Sequence, residues 1–223
     1  MGDVIGQLLP MAVGIAISPV PIIASILMLL SPRARSTSLG FLLGWLAGIA
    51  LVAAVFTSLS SVLPTGSADG PSPILGTVQL VLGVLLLLVA AKQWRGRPRA
   101  GTEPALPPWM QRIDKMTFVP AFGLALLLAG VNPKNLLLGA SAGMTLGSAD
   151  LGISELVVVI ALFTVMAGST VLVPVVGFLL AANALRAPLD RLRVWLQAEN
   201  AVIMTVLLLV LGVVILGKGI AAF

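Results

Sequence analysis

Residues 14–30 read GIAISPVPIIASILMLL and residues 125–138 read ALLLAGVNPKNLLL, two apolar runs, each cut by prolines and polar side chains. A proline inside a helix removes a backbone donor and clashes with the carbonyl one turn back. Each run therefore predicts a helix broken in its middle, at Ser18-Pro19-Val20-Pro21 and at Asn132-Pro133-Lys134-Asn135.

The rest of the chain sets the medium around those breaks. Of 223 residues, 59% are hydrophobic and 9% charged, which no water-soluble fold tolerates without exposing large apolar patches. A bilayer core takes roughly 20 apolar residues per helix, leaving room for about six spans and no extramembrane domain. Apolar runs bounded by polar or Pro/Gly-rich punctuation place the spans near 4–30, 37–60, 73–91, 117–147, 153–182 and 199–221. The fold class expected is all-α, one polytopic transmembrane domain over 1–223. Asp3 stands where a signal peptide would be basic, and the run behind it outlasts an h-region, so it reads as a retained span.

Charge gives the orientation. Arg33 and Arg35 lie between spans one and two, Lys92, Arg95, Arg97, Arg99, Arg112 and Lys115 between three and four, and Arg186, Arg191 and Arg193 between five and six. Short cytoplasmic loops retain basic residues, so these connections read as inside and both termini as outside. The net charge of +5 thus belongs to topology and calls for no nucleic-acid partner. Asp3, Asp69, Asp150, Glu155 and Glu199 fall at span ends and read as solvated. With no Cys, no His, no P-loop and no catalytic carboxylate pair, the sequence calls for no enzyme activity, cofactor or metal.

Six spans with both termini outside make spans one to three enter the membrane oppositely to four to six, as an inverted repeat requires. The halves run over about 1–92 and 117–223, joined by a cytoplasmic linker over about 93–116. The two breaks fall in corresponding spans, and Leu80–Val84 and Leu209–Val213, in spans three and six, both read LVLGV. Paired interruptions of this kind point to a transporter's binding site.

Each break starts a new half-helix whose free N–H groups and positive dipole end face the break. Ser18, Pro19, Pro21 and Ser25 from the first and Asn132, Pro133, Lys134 and Asn135 from the second are the expected substrate-binding residues, suited to an anionic or acceptor-rich head group. The competing reading makes the prolines kinks for helix contact and lets Lys134 reach toward an interface. Gly40, Gly44 and Gly48 in span two, and Gly139, Gly143 and Gly147 in span four, form stripes that let helices approach closely. They fit a homodimer seam or contacts within one bundle, and the second is favoured. Trp109, Ile113 and Met116 opposite Arg112 and Lys115, after the prolines at 98, 104, 107 and 108, suggest an interfacial helix. Leu189, Leu192 and Leu196 opposite Arg191 and Arg193 fit either a second one or an ordinary helix end.

At these motifs the chain resembles the actinobacterial GAP family of peptidoglycolipid- or sulfolipid-addressing proteins, which is similar to the wider lysine exporter superfamily. The stretches that carry the resemblance are Ile17–Arg35 (ISPVPIIASILMLLSPRAR), Gly40–Gly48 (GFLLGWLAG) and Gly130–Leu138 (GVNPKNLLL). The resemblance implies a six-helix exporter-like fold and a role in delivering glycolipids toward the cell surface, beside a larger lipid exporter. Where the superfamily's amino-acid exporters tend to have Pro-Gly-Pro, residues 19–21 are Pro-Val-Pro, which argues against an amino-acid substrate. The function expected is movement of a glycolipid or related amphiphile through the membrane. The alternatives are a small-solute exporter of amino-acid or cation type and a non-transporting scaffold of a lipid-export complex.

Overall fold

A computed structural model of the protein describes residues 2–62, 73–97, 113 and 116–222. The described residues are helical apart from short turns: α1 (Gly2–Ala16), α2 (Pro19–Leu30), α3 (Ala34–Val62), α4 (Pro73–Arg95), α5 (Phe118–Gly130), α6 (Pro133–Gly147) and α7 (Ile153–Ala221). Four stretches are long and apolar enough to cross a membrane: Ala34–Ser60, Gly76–Arg95, Ile153–Ala182 and Ala184–Ala221. The last two are limbs of α7, separated at Ala181, whose φ of −143° and ψ of 53° are not helical.

Two bent pairs, α1 with α2 and α5 with α6, reach the same length and apolarity only when their halves are counted together, which allows up to six spans. The bends are 54° and 67°. Both have one local cause. Ser18 (φ −94°, ψ 106°) and Asn132 (φ −64°, ψ 116°) are extended, as a residue before proline prefers. Pro19 and Pro133 then occupy the first turn of the next helix, where a missing N–H costs nothing.

The surface is that of a protein dissolved in lipid. Leu51, Val55, Leu88, Val119 and Val173 are all more than half exposed, a density of large apolar side chains that water would not support. Phe41, Trp45, Ile49 and Ala53 form the opposite, buried stripe of α3. That stripe turns one face of α3 into the bundle, while Leu43, Leu51 and Leu59 face outward.

Both glycine stripes are used within the chain, which removes them as a homodimer seam. A Cβ on Gly40 or Gly44 would run into the Phe118 or Phe122 carbonyl of α5, and one on Gly48 would stand 2.6 Å from Ala129 Cβ. On α6, a Cβ on Gly139 would meet Val52 Cγ1 at 2.7 Å, on Gly143 the Ala53 carbonyl at 2.6 Å, and on Gly147 the Thr57 carbonyl at 2.6 Å. Residue numbers rise together on both sides of these contacts. Hence α5 lies parallel to the first half of α3, and α6 parallel to its second half.

The second limb of α7 runs antiparallel to α1 and α4. Lys218 Nζ donates to the Gln7 carbonyl at 3.1 Å, and a Cβ on Gly14 would stand 2.5 Å from Leu211 Cδ1. Against α4, a Cβ on Gly83 would meet Leu216 Cγ at 2.6 Å and one on Gly212 would meet Leu87 Cδ2 at 2.7 Å. Each glycine is the fourth residue of an LVLGV segment, and each touches the leucine four residues past the other glycine. The repeated pentapeptides therefore face one another reciprocally, as a local two-fold axis demands.

The stretch from Pro188 to Leu196 belongs to the second limb of α7, so it is a helix end and not a separate interfacial helix. Leu189 and Leu196 are buried, and Leu192 is exposed. Asp69, the prolines at 98–108, Trp109, Arg112 and Lys115 lie outside the described residues. Ile113 is buried and Met116 half-buried. Asp3, Asp150 and Glu199 are exposed, while half-buried Glu155 accepts from the Gly152 N–H at 3.1 Å and so caps the start of α7.

Candidate functional site around the two helix breaks

Breaking a helix frees carbonyls that must find donors, because lipid offers none. In α1 the last regular bond beyond the helix is Ile17 N–H to Val13, at 2.9 Å. The Gly14 carbonyl would next accept from Ser18, but the chain has turned away. It accepts instead from Lys134 Nζ at 2.6 Å, across 120 residues of sequence. The Ala16 carbonyl accepts from Thr170 Oγ1 of α7 at 2.6 Å.

The second break repeats this arrangement. Val131 N–H closes on Leu127 at 2.7 Å. The Leu128 carbonyl, which would have accepted from Asn132, takes Asn135 Nδ2 at 3.1 Å. Gly14 and Leu128 stand at equivalent places, four residues before Ser18 and Asn132. Neighbouring residues of α6 serve both. Asn132 caps α6 by accepting from the Lys134 backbone N–H at 3.1 Å.

Lys134 and Asn135 are 1% and 2% exposed, so neither reaches toward an interface. The Lys134 side chain lies at the C-terminal, negative end of α1, where a cation is favoured. Among the described residues no carboxylate pairs with it; the ion pair there is Arg193 with Asp190, at 2.7 Å.

The two breaks thus meet through α1 and the start of α6, with Lys134 at the junction. Pro19 and Pro21 are buried beside Ser18, and Pro133 is exposed. Ser25 is fully buried, and its Oγ donates to the Ile22 carbonyl of its own helix at 2.8 Å. The half-helix N-termini are also poorer in donors than a generic pair would be. Pro19 and Pro21 leave Val20 as the one N–H in the first three positions of α2, and in α6 Pro133 has none while that of Lys134 is capped.

Sequence reasoning missed Gly14 and Thr170. Thr170 ends a Gly-Ser-Thr interruption of an otherwise apolar run, a signal that was available. Several buried polar atoms remain unpartnered: Ser18 Oγ, Asn135 Oδ1, Ser141 Oγ, Thr164 Oγ1 and Trp45 Nε1. An unpaired polar atom in a low-dielectric interior is costly. Ser18 and Asn135 each flank a break, and a lysine ammonium has three donors, of which one is engaged at Gly14. The junction can therefore donate to and accept from a polar group that enters it.

A family model described as SfLAP, Sap, sulfolipid-1-addressing protein, matches residues 8–221. That range covers both breaks and both glycine stripes. No curated protein and no solved structure matches the chain.

Proposed function

The chain belongs to the Sap, sulfolipid-1-addressing protein family, and from that premise we propose that it is an integral membrane transporter moving a glycolipid or related amphiphile through the inner membrane toward the cell surface. The observation that carries this reading is Lys134, buried where the two helix breaks meet and held by the Gly14 carbonyl. An ionisable side chain inside a membrane bundle marks a substrate pathway more often than a structural need.

The mechanism follows from what Lys134 would exchange. In the described state its Nζ ties α6 to the C-terminal end of α1. A sulfate, phosphate or polyhydroxylated head entering the junction offers acceptors that compete with Gly14 for the same donors. Taking Lys134 would release α1 from α6, and the unpartnered Ser18 hydroxyl and Asn135 amide oxygen would complete the cradle. The substrate would thereby favour a state in which the halves separate, which is what alternating access needs from binding energy.

This reading includes six spans in two inverted halves with both termini outside. Support comes from α5 and α6, which follow α3 in one direction along its length, as a broken span would and a re-entrant loop would not. The reciprocal contact of the two LVLGV segments and the matching breaks are what a pseudo-two-fold axis in the membrane plane would produce. A partner that supplies energy, such as a larger lipid exporter, is compatible with this scheme.

Purified protein reconstituted alone into vesicles, with a fluorescent sulfated glycolipid in one leaflet, tests the function. Movement of the probe to the opposite leaflet well above that of protein-free vesicles is expected. Equal rates with and without well-folded protein would instead favour a scaffold that acts only inside a larger complex.

A further inference from the structure

Eleven of the 13 Lys and Arg residues fall in the three connections read as cytoplasmic, where topology accounts for them. The two left over are Lys134 at the helix junction and Lys218 in the last turn of α7. Both donate to backbone carbonyls of α1: Lys134 Nζ to Gly14 at 2.6 Å and Lys218 Nζ to Gln7 at 3.1 Å. Gln7 and Gly14 are seven residues apart, so they share one face of α1 and lie about 10 Å apart along its axis. The facing helix keeps the same spacing, since Leu211, which stands against Gly14, precedes Lys218 by seven residues.

We infer that Lys218 is a second site for an anionic head group, which takes it on the outer side after Lys134 lets it go; the inference rests on the transport reading above. Charge is the first reason. Among the described residues no carboxylate pairs with Lys218, the ion pair there being Arg193 with Asp190. Asp3, one turn before Gln7 on α1, is exposed and forms no salt bridge with it. An ammonium has three donors. With one engaged at Gln7, the others suit the oxygens of a sulfate or phosphate.

Distance is the second reason. Half of the hydrocarbon core is roughly 15 Å thick, and an ionised head without a partner is disfavoured throughout it. A cation about 10 Å outward from the junction divides that stretch into two shorter steps. Each step is the same exchange, because both lysines rest on a carbonyl of α1 that a head group can replace. Exposure is the third. Lys134 is 1% exposed, whereas Lys218 is half-buried and within reach of water, which weakens its hold on an anion. A head group that arrives there can therefore leave. A lysine that only completes the C-terminal end of α7 would be indifferent to the charge of a lipid beside it, and that difference can be measured.

A binding measurement tests the site without relying on transport. Ala222→Cys, one turn beyond Lys218, carries a fluorophore in the purified full-length protein, which is placed in phosphatidylcholine vesicles. The quenchers are a sulfated glycolipid with a nitroxide beside its head group and the same lipid without the sulfate. Half-maximal quenching should need about tenfold less of the sulfated lipid, as one charge-assisted contact predicts. Lys218→Gln should erase that preference and Lys218→Arg should keep most of it, each variant being first shown to be folded by thermal unfolding. Translocation of the sulfated lipid should slow about tenfold in Lys218→Gln for the same reason.

Equal quenching by the two lipids, or a sulfate preference that survives Lys218→Gln, would overturn the inference. So would a Lys218→Gln protein that moves the sulfated lipid as fast as a transporting wild type. Quenching reads the site, while translocation by the wild type reads the proposal beneath it. A sulfate preference without translocation would keep the site and refute transport, and translocation without the preference would refute the site alone.

Discussion

Gly14 and Ala16 end α1 with carbonyls that accept from Lys134 and Thr170, each at 2.6 Å. The two bonds should not be equally important. Thr170→Val leaves one neutral acceptor to a site that is half-buried and able to relax, a loss of about 0.6–1 kcal/mol. Lys134→Met keeps the length of the side chain and removes the donor, so the Gly14 carbonyl is stranded in the interior at a cost of roughly 1–3 kcal/mol. Thermal unfolding in detergent should therefore rank the wild type above Thr170→Val, and Thr170→Val above Lys134→Met. A Lys134→Met protein as stable as the wild type would mean that the Gly14 contact contributes nothing to the resting fold.

At the scale of the element, the breaks and the stripes differ in how far they were legible. Proline acts on its own turn, so Pro19 and Pro133 announced both bends from sequence alone, and the donor-poor first turn of α2 was written in Pro19 and Pro21 as well. The glycine stripes announced close approach but not the partner, since spacing by four says which face is smooth and nothing about what lies on it. Lys134 was legible as a buried cation, whereas its acceptor was not, because a carbonyl 120 residues away is set by tertiary docking. The stripe geometry yields a paired prediction. In Gly44→Ala the new Cβ would run into the Phe122 carbonyl, so α5 must move, at a cost of about 1–3 kcal/mol. In Gly123→Ala the new Cβ meets nothing within 4 Å, and the helix should gain about 0.5–1 kcal/mol. Melting temperatures that fall for the first and hold or rise for the second are expected; equal effects would contradict the α3–α5 contact.

For the whole molecule, orientation comes first. The sequence has no cysteine, so single cysteines report sidedness without background. Gly2→Cys and Ala222→Cys should react with an impermeant maleimide in intact cells, and Arg97→Cys only after permeabilisation. Reaction of Arg97→Cys in intact cells would reverse the topology and undo the inverted repeat. The account as a whole turns on a head group displacing Gly14 from Lys134, and charge reversal at that atom addresses it most directly. Translocation of a sulfated glycolipid is measured in reconstituted vesicles for wild type, Lys134→Arg and Lys134→Glu, each first shown to be folded by thermal unfolding and surface labelling. Lys134→Arg should keep part of the rate, since it retains the charge in a planar fork, and Lys134→Glu should lose it entirely, since its field repels the head. Wild-type translocation by a folded Lys134→Glu protein would contradict the account and leave Lys134 as a structural cap on α1.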